Sequence, residues 1–171
     1  MRIRRSLDAL YDAAAYLAAL FLIGTLAMVL LGIAGRWLDF HIPGTDAYAG
    51  YCMAAAGFLA LAHTLTRGEH IRVTLLLERV GPGARRRLEL WSLAAGSLLA
   101  LLFAWFSVRL AWQSFDFNDV STASDATPLW IPQLTMAFGT IVLAIALVDE
   151  LAREIRGKPR RLSPTTAAFN E

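Results

Sequence analysis

Four long apolar runs divide the 171-residue chain: Ala13 to Gly35, Ala47 to Leu65 broken only by His63, Leu90 to Val108, and Pro128 to Val148. A helix needs roughly 20 apolar residues to cross a hydrocarbon core about 30 Å thick, and each run reaches that length with its flanking interfacial residues. Lipid offers no partner to backbone N–H and C=O groups, so a spanning segment is a helix or part of a closed barrel. Runs without period-two alternation exclude the barrel. The sequence predicts an all-α integral membrane protein with spans at about 12–36, 46–66, 88–115 and 128–149, forming one four-helix domain over about 1–157. Arg2, Arg4 and Arg5 resemble the basic start of a cleaved signal peptide. The first run is too long for a typical signal, however, and three more follow, so it is expected to remain as a span.

Composition is consistent with four spans and short loops, at 57 % hydrophobic and 18 % charged residues. The lone Cys52 lies in the second run and has no intrachain disulfide partner. Three of the sixteen basic residues lie in the N-terminal tail (Arg2, Arg4, Arg5) and six between spans two and three (Arg67, Arg72, Arg79, Arg85, Arg86, Arg87). Five more lie in the C-terminal tail (Arg153, Arg156, Lys158, Arg160, Arg161). The opposite side has Arg36 and Arg109 with the acids Asp39, Asp46, Asp116, Asp119 and Asp125. The basic pI is therefore a signature of topology and not of nucleic acid. Positive-inside bias places both termini and the central loop in the cytoplasm. Trp37, Tyr48, Trp112 and Trp130 fall at the outer interface, Tyr11 and Trp91 at the inner one, and Trp105 near mid-membrane.

Between spans two and three, Ile71, Val73, Leu75, Leu76, Leu77 and Val80 are interleaved with Arg72, Thr74, Glu78 and Arg79. This segment is too short and too charged to span, and an amphipathic interfacial helix is predicted over about 70–81, ended by Gly81, Pro82 and Gly83. Arg85, Arg86 and Arg87 follow and are expected to lie among anionic phospholipid headgroups. The stretch from Phe117 to Thr127 reads as a polar, acidic outer loop, and residues 158–171 as a basic and polar disordered tail. Gly96, Ala100 and Ala104 form a small-residue stripe on span three, with a second at Gly50, Ala54 and Gly57. Such stripes serve close packing, either within the four-helix unit or against another subunit.

Intramembrane ionisable groups are the default functional candidates. His63 lies near the inner end of span two, and no Asp or Glu falls near the middle of any span, as transport driven by protons or cations through this chain alone would require. Arg109, about a turn and a half from the outer end of span three, can snorkel outward or pair with Asp116 two turns on. The alternative is contact with an anion or a partner. A haem-bearing anchor needs histidines on two facing helices, but His41, His63 and His70 provide one within the spans. No phosphate-binding loop, dinucleotide fingerprint, HExxH or paired-cysteine metal motif is present, so neither an enzyme nor a protein cofactor is expected.

The stretch at 56–73, AGFLALAHTLTRGEHIRV, carries a small-residue helix end, a basic residue, a glycine and then His70 leading into the amphipathic segment. Arg36 followed by Ile42-Pro43-Gly44-Thr45-Asp46, and Pro128-Leu129-Trp130-Ile131-Pro132 with Gly139, flank it. With four spans and both ends inside, this layout resembles the small membrane subunit of the tripartite ATP-independent periplasmic (TRAP) transporters, the DctQ type. It departs from that pattern at Asp46, where a Glu is usual, and at Tyr51, where span two commonly offers a Trp.

The resemblance implies a non-catalytic subunit in the bacterial inner membrane that braces a large multi-span permease. That permease binds substrate and is the expected site of sodium coupling, while a periplasmic substrate-binding protein delivers an organic acid such as a dicarboxylate. On this reading Gly96, Ala100, Ala104, Trp105 and His70 are candidates for the subunit interface, His70 also as a turn-fixing group. Asp39, Asp46, Asp116, Asp119 and Asp125 are candidates for docking the binding protein. The alternative is an anchor subunit of a respiratory or redox complex, or an orphan four-helix adaptor.

Overall fold

The computed structural model describes residues 2–40, 42–66, 81–123 and 125–157. Among them the chain forms α1 (Arg2–Trp37), α2 (Thr45–Thr66), α3 (Pro82–Asp116) and α4 (Trp130–Ile155). The only other regular feature described is an isolated antiparallel bridge between Val120 and Pro128. All four helices are long and apolar enough to cross a membrane. The predicted interfacial helix at about 70–81, apart from Gly81, lies outside the described residues, as do His41, His70 and the tail at 158–171.

With 22 residues, α2 is about 33 Å long and matches a hydrocarbon core, whereas α1 and α3, at 36 and 35 residues, run about 50 Å and extend well past their apolar runs. Gly81 precedes α3, and Pro82 opens it, where a missing N–H costs no hydrogen bond. Pro132 is tolerated in the first turn of α4 for the same reason. The loop-side ends of α1 and α3 close alike. Phe40 N–H donates to the Gly35 carbonyl past a left-handed Asp39, and Asp119 N–H donates to the Ser114 carbonyl past a left-handed Asn118. Asp and Asn are among the side chains that tolerate this conformation.

The helices stand in a row ordered α1, α2, α4, α3. Gly24 lies against Cys52 and Gly32 against Thr45, so α1 and α2 form an antiparallel hairpin. Gly96 faces Leu147, and Phe115 meets Trp130 edge to face at 5.7 Å, so α3 and α4 form a second. The hairpins join through their second helices, which run parallel: Gly139 abuts Phe58, and Ala62 packs with Val142 and Ala146. Near the end bearing the start of α1 and the end of α4, Tyr11 and Ala14 of α1 complete that cluster.

Small side chains hold the row together. The buried positions are mostly alanine, and the largest fully buried side chains are Val142 and Thr140. Helices in lipid gain nothing from hiding one apolar surface in another, so they associate through close approach and van der Waals contact. Gly139 is the extreme case. A Cβ there would lie 2.6 Å from the Phe58 carbonyl carbon and oxygen, so α2 and α4 touch backbone to backbone. The hydroxyls of Thr25 and Thr140 bond back to their own helices, at the Phe21 and Met136 carbonyls, whereas those of Ser97 and Ser107 on α3 are buried without a hydrogen-bond partner among the described residues.

Candidate functional site

On α3 the buried residues are Leu93, Ser97, Ala100, Ala104, Ser107, Ala111 and Ser114, alternately four and three apart. This is a heptad seam of mostly small side chains facing α4. Ala100 and Ala104 pack on Ala144, flanked by Leu143 and Leu147, while Gly96 is half-buried with only Leu147 near it. These three candidates for a subunit interface therefore face inward within the chain. Trp105 points away from the seam with 69 % of its surface exposed. The second stripe is open: Gly50, Ala54 and Gly57 are exposed, and a Cβ at either glycine would meet nothing within 4 Å.

At the loop end, a polar clamp joins the two hairpins. Asp125 accepts hydrogen bonds from Tyr51 Oη at 3.2 Å and Ser121 Oγ at 2.9 Å, and Thr127 Oγ1 donates to Tyr48 Oη at 3.1 Å. Tyr48 and Tyr51 meet edge to face at 6.1 Å. Gly44, at φ +82°, lets the first loop in so closely that a Cβ would stand 2.7 Å from the Asp125 Cβ. The hydroxyl of Thr127 is the largest influence holding the Asp125 carboxyl below its ordinary value; burial, the next largest, opposes it, and the hydroxyls of Ser121 and Tyr51 add smaller lowering effects.

The other predicted docking acids, Asp39, Asp46, Asp116 and Asp119, are exposed. Asp46 stands 3.9 Å from Arg36, and a shallow cavity of about 550 Å³ between the α1 and α2 ends is lined by these two residues and Asp39. Asp116 forms no pair with Arg109 among the described residues, and Arg109 is exposed.

At the opposite end His63 Nδ1 lies 3.6 Å from Asp12. Arg153, 9 % exposed, lies between Asp149 at 3.8 Å and Glu150 at 3.7 Å. Arg85, Arg86 and Arg87 are exposed in the first turns of α3, with Arg85 bonded to Glu89 and Arg87 to the Gly83 carbonyl. Between α3 and α4 an apolar groove has sections of about 550 and 470 Å³ that share Ile141. Among the described residues no cluster of His, Cys, Asp and Glu is placed to hold a metal ion.

The family described as Tripartite ATP-independent periplasmic transporters, DctQ component, matches residues 25–157. The chain belongs to this DctQ family. It is thus a component of a TRAP transporter and, with four spanning-length apolar helices, a multi-pass membrane protein. Comparison with curated proteins and with solved structures finds no match. The DctQ match begins within α1 at Thr25 and takes in α2, α3, α4, both loops of the clamp and the Gly139 crossing.

Sequence reasoning missed three features that organise this DctQ chain. The α3 seam was legible as a four-three alternation of Ser and Ala, but the four-residue spacing of Gly96, Ala100 and Ala104 drew attention instead. The Tyr48 and Tyr51 pair, three apart at the start of α2, marks a shared helix face without naming Asp125 as its partner. Nothing local distinguishes Gly139 as the crossing point.

Proposed function

We propose that this DctQ chain is the scaffold subunit of its transporter, bracing a large permease while taking no part in substrate chemistry. The observation that carries this reading is the open row. Two hairpins joined at their second helices leave α1 and α3 as free edges, with Leu20, Leu22, Ile23 and Leu26 exposed on one and Leu98, Leu99, Trp105 and Phe106 on the other. A row locked by backbone contact at Gly139 and by the loop-end clamp is a stiff body with broad apolar sides. It is suited to enlarge and anchor the static part of a moving partner. On this reading the permease binds sodium ions and an organic acid such as a dicarboxylate, brought by the periplasmic binding protein.

The basic-residue bias places both termini in the cytoplasm and the clamp outside, in a bacterial inner membrane. Arg85, Arg86 and Arg87 reach the phosphates of the inner leaflet. Three cations in the first turns of α3 oppose the helix dipole, so their placement points to an anionic layer outside the helix. Asp39, Asp46, Asp116 and Asp119 supply a negative outer face toward the binding protein, whereas Asp125 has two oxygens occupied by the clamp.

Reconstituting the permease and binding protein in proteoliposomes with and without this subunit tests the scaffold. Sodium-driven uptake is expected to vanish without it, and full uptake in its absence would refute the role. For orientation, a Cys52→Ala background with cysteine at Thr122 or at Gly157 is expected to react with an impermeant maleimide from outside at the first position only.

A further inference from the structure

The cavity of about 550 Å³ between the ends of α1 and α2 changes character along its depth. Leu31, Gly32 and Gly35 of α1 form an apolar wall within the span, where neither glycine places a side chain. A Cβ on Gly32 would stand 3.2 Å from Thr45 Oγ1, so the Thr45 hydroxyl faces that glycine, and both residues line the cavity. Arg36, about 8 Å further along α1 than Leu31, forms the rim with Asp39 and Asp46. Next to it Trp37, an exposed aromatic at the end of a span, marks the membrane boundary. The cavity therefore straddles that boundary.

Its polar groups are not spent on one another. Arg36 has Asp46 at 3.9 Å, too long for a hydrogen bond, and among the described residues the Asp39 carboxylate has neither hydrogen bond nor ion pair. Thr45 is only 9 % exposed, yet among the described residues its hydroxyl has no hydrogen-bond partner. The first bond of α2 runs from Tyr48 N–H to the Gly44 carbonyl, which leaves the N–H groups of Thr45, Asp46 and Ala47 uncommitted beside the cavity.

A buried hydroxyl and a helix start beside a guanidinium suit a phosphate. Two carboxylates on the same rim suit a primary ammonium, whose N–H groups they can accept. The apolar wall below suits the first carbons of an acyl chain. An organic acid or free phosphate would bring no cation to offset the carboxylates, and a choline head has no N–H to donate to them.

Independently of the scaffold role, we propose that this cavity seats the headgroup of a phospholipid of the phosphoethanolamine class. Arg36, Thr45 Oγ1 and the start of α2 receive the phosphate, Asp39 and Asp46 the ammonium, and Leu31 and Gly32 the start of a chain. The volume lies within the range of small-molecule sites.

Native mass spectrometry of the full chain tests this, with release from micelles containing phosphatidylethanolamine, phosphatidylglycerol or phosphatidylcholine of identical chains. The ethanolamine lipid is expected to be retained about fivefold or more above the other two. Arg36→Gln is expected to lower that retention about tenfold, and Thr45→Val, which keeps the shape and removes the hydroxyl, about threefold. Asp39→Asn with Asp46→Asn is expected to erase the preference for ethanolamine, and Asn tolerates the left-handed backbone at position 39. Equal retention of the three lipids by the wild type, or unchanged retention of the ethanolamine lipid in Arg36→Gln, would overturn the site. Glycerophosphoethanolamine, the same head without chains, is expected not to displace the lipid at equal concentration; displacement would assign the cavity to a soluble ligand and overturn the lipid.

Discussion

At the residue scale, two glycines in the spans make opposite predictions. Gly139 has the Phe58 backbone where a Cβ would go, so Gly139→Ala is expected to force α2 and α4 apart and destabilise the isolated subunit by about 1–3 kcal/mol. Gly57 has open space, and Gly57→Ala is expected to be stabilising by up to about 1 kcal/mol through helix propensity. Denaturation of the two variants in mixed micelles, followed by tryptophan fluorescence, checks both signs. In the clamp, Tyr51→Phe removes one donor to Asp125 and is expected to cost about 0.5–1.5 kcal/mol in the same assay. Because the hydroxyls favour the ionised carboxyl, their contribution is fully present above the ordinary value of 3.8 and fades as pH falls through the lowered one. Acid titration is thus expected to weaken the wild type below about pH 4, with this component absent in Asp125→Asn, and the two are expected to share the same pH dependence near neutrality.

At the element scale, the seam of α3 explains how a 35-residue helix can be both well seated and mostly exposed. A heptad stripe of Ser and Ala is narrow, so α4 covers it and leaves the large side chains around the rest of the circumference free. Ala104→Leu thickens that seam and is expected to cost about 1–3 kcal/mol, whereas Leu102→Ala on the outward side should leave the isolated subunit's stability within about 0.5 kcal/mol. The same denaturation assay separates the two. For α2 the seating is reversed, with neighbours on two sides and a thin open face at Gly50, Ala54 and Gly57.

For the whole molecule, the parallel contact between α2 and α4 converts two hairpins into a row with the start of α1 and the end of α4 at one end and the clamp at the other. That arrangement separates two surfaces of different chemistry, apolar edges within the membrane and a polar, acid-bearing rim at the loops. If the rim steers a binding protein, reversing Asp39, Asp46, Asp116 and Asp119 to lysine is expected to slow association most at low ionic strength. An unchanged association rate in low salt would leave those acids as solvated loop residues.

The sequence by itself determined the helical class, the four spans and the family, because lipid enforces helices on long apolar runs and because the run lengths and basic-residue bias survive without any knowledge of contacts. It also made small-residue packing legible. Only the tertiary structure decided that Ala100 and Ala104 face inward, that Gly139 is the crossing point and that Asp125 closes a clamp. Each of those depends on the relative register and rotation of helices far apart in the chain. Register in lipid is set by the fit of small side chains and backbones, which no apolar run records.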